Sequence, residues 1–85
     1  MPAYLITEHH GRRIKPKSIM LSNDPSGALA AFCTIPSTVT SMPPDAGRWR
    51  FIDDGLGGGA LIDPRDDDHC LRADPRKVAV DGTNE

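Results

Sequence analysis

Glycine and proline interrupt this chain so often that short elements joined by turns are its expected architecture. The 85 residues include eight glycines and eight prolines, above the ordinary shares of about 7% and 5%. This frequency favours turns over long helices. At this length the chain forms one domain, near the size at which a single core is barely sufficient. We therefore predict a single domain over residues 1–85, rich in strands and loops, with a frayed tail at residues 82–85.

The first part of the chain predicts a β-hairpin. Residues 3–9 contain good strand-forming side chains and end at the turn signal His10-Gly11. Residues 12–22 can return as the partner strand, with the basic side chains towards solvent and residues 19–21 entering the core. Pro16 has no backbone N–H, so we expect this strand to lie at a sheet edge or to carry a bulge.

Asp24 and Pro25 indicate the start of a short helix. Asp24 can accept hydrogen bonds from the first free backbone amides, and Pro25 suits the first helical position, where no donor is needed. The apolar side chains of residues 28–35 fit both a helical and a strand pattern. We predict one helix of about two turns here, ended by Pro36. Residues 37–45 predict a surface connection or a short irregular edge strand.

Two further hairpins are predicted in the second half. Residues 48–53 form a strand that a glycine-rich loop joins to residues 60–62. A last hairpin runs along residues 70–72, turns at 73–76 and returns along 77–80. Together these segments predict an α+β fold that is mainly β: a small antiparallel sheet built from hairpins, or a small open barrel, of about five strands with one short helix.

The sequence is compatible with two environments for the ring of Trp49. It alternates with Arg48 and Arg50 and shares a strand face with Phe51. Packed beside Phe51, it would anchor the core. Exposed beside the two arginines, it would be an aromatic contact for a partner.

No motif in the sequence identifies a reaction or a cofactor. The run Gly55-Leu56-Gly57-Gly58-Gly59 lacks the Lys-Ser/Thr pair and the following helix of a phosphate-binding loop. Asp53 and Asp54 precede it and would repel a phosphate. We interpret the run as a flexible hairpin turn and expect no cofactor.

The candidate metal ligands and nucleophiles also lack diagnostic spacing. The aspartates before His69 do not match the alternating ligands of a calcium loop, so a solvated acidic loop is the plainer interpretation. His69 and Cys70, with Cys33 and His9 or His10, are zinc-ligand types without paired spacing, and adjacent strand residues point to opposite faces. Cys70 with a histidine is the available nucleophile and base. We expect no metal site, buried free thiols, solvent-facing histidines and no enzymatic activity.

Charges are divided unevenly along the sequence. Residues 1–50 carry six Lys/Arg and three Asp/Glu, whereas residues 51–85 carry four and nine, giving +3 and −5 of the total of −2. This asymmetry predicts a charged partner rather than a reaction. We expect acidic loops to dock on a basic surface of a protein or protein–nucleic-acid complex. The predicted acidic contacts are Asp53, Asp54, Asp63, Asp66, Asp67 and Asp68.

Direct nucleic-acid binding through the basic N-terminal edge is the alternative. Basic side chains with an exposed aromatic ring can follow a phosphate backbone. The pI of about 5.8 opposes this, because dedicated nucleic-acid binders are strongly basic. The same charges also protect an edge strand from aggregation. The residues concerned are Arg12, Arg13, Lys15, Lys17, Arg48, Trp49 and Arg50.

The layout of the whole chain resembles a class of small inhibitors. A strand starts within Met1-Pro2-Ala3-Tyr4-Leu5-Ile6-Thr7, and a polar turn, a short helix and hairpins with an acidic segment follow. In size, acidity and layout the chain resembles inhibitor proteins of bacteriophages and mobile elements, above all anti-CRISPR proteins. The resemblance includes no diagnostic motif and assigns no residue a role. It implies that a compact acidic protein occupies the DNA-binding or PAM-reading surface of a CRISPR effector.

The sequence also predicts a soluble chain in a reducing compartment. The apolar run Tyr4-Leu5-Ile6 is interrupted by Thr7 and Glu8, which excludes the apolar core of a secretory signal there. No apolar stretch approaches the roughly 18 residues of a membrane span. We expect a cytoplasmic protein with no membrane partner and reduced cysteines.

Overall fold

The computed structural model describes residues 1–76 and contains one antiparallel sheet with helical segments on one face. The mainly β, α+β class is confirmed, and the five strands form an open sheet rather than a barrel. The elements are β1 (Ala3–His10), β2 (Arg13–Leu21), α1 (Pro25–Cys33), α2 (Ser37–Thr40), a 3₁₀ turn (Ala46–Arg48), β3 (Arg50–Asp53), β4 (Gly59–Ile62) and β5 (His69–Pro75).

The strand order is β2-β1-β5-β4-β3, so the first and last strands of the described chain are neighbours. Tyr4 lies opposite Pro75 and His10 opposite His69 along this non-local pair. The turn predicted at residues 73–76 is wrong, because β5 continues as strand through Pro75 and pairs on both sides. The return strand predicted at 77–80 lies outside the described residues.

The apolar core lies between the sheet and α1. Asp24 caps this helix, because its Oδ1 accepts a hydrogen bond from the Gly27 amide at 2.6 Å, and the predicted helix start is confirmed. Ile6, Leu29 and Leu71 are the largest fully buried side chains. The whole core cluster is Tyr4, Ile6, Ala28, Leu29, Phe32, Met42, Ala46, Trp49, Leu61, Leu71 and Ala73.

Of the two environments predicted for the ring of Trp49, the structure shows the one in the core. The ring is 4% exposed and belongs to the core cluster. Trp49 follows the 3₁₀ turn and precedes β3, which begins at Arg50 rather than at the predicted residue 48. Phe51, on the edge strand β3, packs over Gly59. A Cβ atom at Gly59 would lie 2.5 Å from Cζ of Phe51, so this approach requires glycine.

β2 lies at the edge of the sheet opposite β3 and contains a bulge, in agreement with the prediction made from Pro16. The pairing shifts from Ile6 opposite Ser18 to Thr7 opposite Pro16, which leaves Lys17 as the extra residue. The prediction that residues 19–21 enter the core is wrong for two of them. Ile19 and Leu21 are 46% and 65% exposed, because strand alternation turns only Met20 towards the core.

The sheet face opposite α1 is not covered by a helix within residues 1–76.

Residues 37–45 form α2 and a loop on the same side of the sheet as α1, instead of the alternative edge strand. Helices α1 and α2 contain nine and four residues. Within residues 1–76 no helix has the length and apolar character needed to cross a membrane.

Replacing Leu71 by Ala should lower the free energy of unfolding by about 2–5 kcal/mol, because it empties a fully buried position in the middle of the sheet. Leu56→Ala is the matched control. Leu56 is 85% exposed, so its loss should change stability by less than about 0.5 kcal/mol. Urea unfolding followed by circular dichroism measures both variants, and equal losses would contradict the core described here.

Candidate functional site

A cluster of polar side chains continues the buried face of the sheet beyond the apolar core, with His69 at its centre. Nδ1 of His69 lies 3.1 Å from Oδ2 of Asp63, and Nε2 lies 2.7 Å from Oε2 of Glu8. His69 and Asp63 are only 8% and 6% exposed. Ionised carboxylates accept hydrogen bonds and cannot donate them, so both contacts are hydrogen bonds only when both ring nitrogens carry hydrogen.

Strand alternation explains how Glu8 reaches this cluster. Tyr4, Ile6, Glu8 and His10 occupy the same face of β1, since side chains two residues apart share a face. Tyr4 and Ile6 contact the apolar core. Further along the same face, Glu8 and His10 lie beside His69, which pairs directly with His10. The prediction that the histidines face solvent is therefore wrong for His69.

The bulge in β2 supplies a lysine to the same cluster. Nζ of Lys17 lies 3.1 Å from Oε1 of Glu8 and donates to the backbone carbonyl of Thr40 at 3.0 Å. The side chains of Lys17 and Glu8 are 12% and 15% exposed. Lys17 is thus withdrawn from solvent, contrary to the prediction for the basic residues of this strand. It connects the edge strand to α2.

Arg65 connects the loop after β4 to the 3₁₀ region. Its Nη2 lies 2.9 Å from Oδ2 of Asp45, and its Nε lies 3.4 Å from Oδ1 of Asp63. The Asp63 carboxylate also accepts from the Arg65 backbone amide at 2.9 Å. Because the Arg65 side chain is 63% exposed, the ion pair with Asp45 contributes little stability alone and mainly orients the loop.

Two aromatic contacts enclose the His69 ring. The ring of His10 stacks on it at 4.4 Å with an interplanar angle of 22°, and Trp49 approaches edge-on at 5.0 Å. Nε2 of His10 pairs with Oδ2 of Asp66 at 3.0 Å. Nε1 of Trp49 is buried and has no hydrogen-bond partner among residues 1–76. Two rings and two carboxylates thus surround the His69 side chain, which is 10% exposed.

The carboxylates of the cluster are stabilised in their ionised form. Burial raises the pKa of Glu8, but hydrogen bonds from His69 and Lys17 outweigh it, and the net pKa is lowered. The backbone amide of Arg65, followed by the bonds from His69 and the Arg65 side chain, lowers the pKa of Asp63. The backbone amide of Asp68 and then the His10 side chain lower the pKa of Asp66.

The acidic loop, defined as residues 63–68, divides its aspartates between two roles. Asp63 and Asp66 accept bonds from inside the protein. Asp67 and Asp68 are exposed and form no ion pair within the described part of the chain. Backbone bonds from Asp66 to Asp63 and from His69 to Asp66 close the loop at 3.2 and 2.9 Å. The loop therefore presents two carboxylates from a hydrogen-bonded frame.

The structure does not bring the other predicted acidic residues to this loop. Asp53 ends β3 and Asp54 begins the turn before β4, whereas the acidic loop follows β4, so the two groups are at opposite ends of that strand. The Asp54 carboxylate accepts from the Leu56 amide and pairs with Arg72 at 2.9 Å, and its pKa is lowered by these bonds. Asp53 accepts from the Gly55 amide. These two residues form a separate turn.

The predicted basic and aromatic residues are also divided. Arg12, Arg13 and Lys15 are exposed on the β1–β2 hairpin, and Arg48 and Arg50 are exposed near β3. Within residues 1–76 these five side chains form no ion pair. Lys17 and Trp49 are withdrawn into the protein, as described above, so neither is available to a nucleic acid.

Within residues 1–76, the predicted nucleophile Cys70 lies directly opposite His9 in the β1–β5 pair, and the His9 ring is hydrogen-bonded to Thr7. Cys70 lies on the opposite sheet face from His69, as the alternation predicted. Both cysteines are free, and burial raises the pKa of Cys33 and of Cys70. The cleft beside α2, lined by Phe32, Ile35 and Met42, holds about 180 Å³, below the roughly 300–1,000 Å³ of small-molecule sites.

Within residues 1–76, no three His, Cys, Asp or Glu side chains are arranged to hold a metal ion. Comparison with known proteins gives no match for the chain: no family model, no curated protein and no solved structure is significantly similar to it.

Lowering the pH should destabilise the fold through the carboxylates around His69. A carboxylate whose pKa is lowered by folding stabilises the folded state above its ordinary pKa and loses that contribution as the pH falls through the folded value. The ordinary values are 4.5 for Glu8 and 3.8 for Asp63 and Asp66. The urea midpoint should therefore stay high near neutral pH and fall steeply below pH 4.5.

Glu8→Gln should reduce both the midpoint at neutral pH and the steepness of this acid decline. It removes the anion between Lys17 and His69, at a cost of about 1–3 kcal/mol. Asp67→Asn changes the net charge equally at an exposed position and should leave the neutral midpoint nearly unchanged. The ionic role of Glu8 would be refuted by an identical pH profile in wild type and Glu8→Gln.

Proposed function

We propose that this chain is a non-enzymatic binding protein that docks its acidic loop on a basic surface. The observation that carries the proposal is the geometry of Asp67 and Asp68. Both are exposed and have no ion pair within residues 1–76, while the residues on either side are held by hydrogen bonds. They are acceptors without an internal partner, which suits charge-assisted bonds to Arg or Lys of another protein.

The hydrogen bonds and ion pair that hold the acidic loop support binding, because they lower the entropy that the loop would lose on association. Ordering a mobile loop on association costs free energy that subtracts from affinity. Here Asp63 is tied to His69, Arg65 is tied to Asp45, and Asp66 is tied to His10. The positions of Asp67 and Asp68 are therefore already set by the folded protein.

The surroundings of the acidic loop make the docking surface mixed in charge. The backbone amide of Gly11 donates to the Asp68 carbonyl at 2.9 Å, so the tip of the basic hairpin lies next to the acidic loop. Within residues 1–76, the basic hairpin and the acidic loop are therefore neighbours rather than separate poles. We expect short-range complementarity, which gives specificity and register, to matter more than long-range attraction.

A partner that holds nucleic acid fits this chemistry best. Arg and Lys side chains that bind phosphates are also the natural partners of clustered carboxylates. The resemblance to anti-CRISPR proteins narrows the proposal to the DNA-binding or PAM-reading surface of a CRISPR effector. Direct nucleic-acid binding by the hairpin is the rival function, and the withdrawal of Lys17 and Trp49 from solvent weakens it.

Asp67→Asn with Asp68→Asn should weaken inhibition of target-DNA binding by a guide-loaded CRISPR effector. The experiment adds the purified chain to effectors of the single-subunit and multi-subunit classes and measures binding of a labelled target duplex. Wild-type protein should displace the duplex at a fixed stoichiometry. The double variant should associate more slowly by about tenfold at low salt, and less so at high salt, because exposed charges act mainly on encounter.

Asp53→Asn is the matched control for each single replacement, Asp67→Asn or Asp68→Asn, since it removes one exposed carboxylate at the opposite end of β4 while an amide oxygen can still accept from Gly55. It should leave inhibition unchanged. If the control and the acidic-loop variant lose inhibition equally, net charge rather than the loop is responsible. If wild type displaces duplex from no effector but itself shifts labelled DNA, the nucleic-acid function is favoured.

A further inference from the structure

The β1–β2 hairpin carries a small polar cleft with two cationic side chains in its walls. The cleft holds about 80 Å³ and is lined by Glu8, His10, Arg13 and Lys15. We infer that it binds a single phosphate group. The cleft adjoins the acidic loop, because His10 bonds Asp66, but it uses other side chains than the proposed function, and neither proposal depends on the other.

The register of the hairpin assembles this cleft. His10 lies directly opposite Arg13, and Glu8 lies directly opposite Lys15. Directly opposed residues share a sheet face with Cβ atoms about 4.5–5.5 Å apart, so the two cationic side chains stand side by side with His10 on the same face. Arg13 and Lys15 are exposed and have no acidic partner within residues 1–76.

The carboxylate of Glu8 does not repel an anion in this cleft, because Lys17 and His69 already pair with it. Oε1 of Glu8 is 3.1 Å from Nζ of Lys17, and Oε2 is 2.7 Å from Nε2 of His69. Each oxygen therefore has its own donor inside the protein. Lys17, the extra residue of the bulge, supplies the charge that compensates this carboxylate.

His10 lines the cleft and is held in place by Asp66. Its Nε2 lies 3.0 Å from Oδ2 of Asp66. The Asp66 carboxylate accepts from His10 and from the Asp68 amide, so it too is engaged. The positive charge of Arg13 and Lys15 then dominates the cleft.

The size and donor set of the cleft select a tetrahedral oxyanion. A water molecule occupies about 30 Å³ of liquid, so the cleft of about 80 Å³ has room for a group the size of a few water molecules. Arg presents a planar fork that binds two oxygens of a phosphate, and Lys adds a point charge. A carboxylate offers fewer oxygens and is expected to bind more weakly.

Titration of the folded protein with inorganic phosphate, followed by amide chemical shifts at constant ionic strength, tests this site. Phosphate should cause saturable shifts centred on His10, Arg13 and Lys15, and acetate should cause clearly smaller ones. Arg13→Gln with Lys15→Gln should weaken phosphate binding by about tenfold or more, the loss expected for two charge-assisted contacts. Arg48→Gln with Arg50→Gln removes the same charge elsewhere and should leave the affinity unchanged.

A short oligothymidine in the same titration distinguishes the source of the phosphate. Competition between the oligonucleotide and inorganic phosphate at this site would show that the cleft accepts a nucleic-acid phosphate. Binding of inorganic phosphate alone would show a site for the free ion. The inference is overturned if phosphate shifts do not saturate, if acetate matches phosphate, or if the two double variants lose affinity equally.

Discussion

The bridge that His69 makes between Glu8 and Asp63 connects parts of the chain that are distant in sequence. One imidazole joins β1, β5 and the loop after β4 by bonds of 2.7 and 3.1 Å. Lys17 extends this bridge to the edge strand and α2, and Arg65 extends it to the 3₁₀ region. Buried charges are costly unless each is paired, so removal of one member leaves the others without compensation.

The same bridge determines what the surface presents. Because Asp63 and Asp66 accept bonds from within the protein, Asp67 and Asp68 remain as the exposed carboxylates of a held loop. Because Glu8 is satisfied by Lys17 and His69, the neighbouring cleft keeps the positive charge of Arg13 and Lys15. Acidic and basic contacts therefore lie side by side at one end of the sheet. A partner surface of matching mixed charge follows from this arrangement.

Local chemistry was enough to predict α1 and the β2 bulge, because Asp24, Pro25 and Pro16 act on their immediate neighbours. The partners of β5 were not predictable in this way. Its pairing with β1 joins residues about as far apart as the described chain allows, and the sequence carries no turn signal for it. The alternation of His69 and Cys70 was correct, but the register of β5 decides which of them is buried. The inward position of Lys17 likewise depends on which face of β2 the rest of the fold covers, since alternation alone does not specify it.

Amide hydrogen exchange in His69→Leu tests most directly whether the bridge holds the acidic loop. The replacement puts the apolar side chain of leucine in the buried position and removes both bonds to the carboxylates. The account predicts that the amides of Asp66 and Asp68 exchange faster by about tenfold relative to that of Leu71, which reports opening of the sheet. The account would be contradicted if the ratio of the exchange rates of the loop amides to that of Leu71 were the same in wild type and variant.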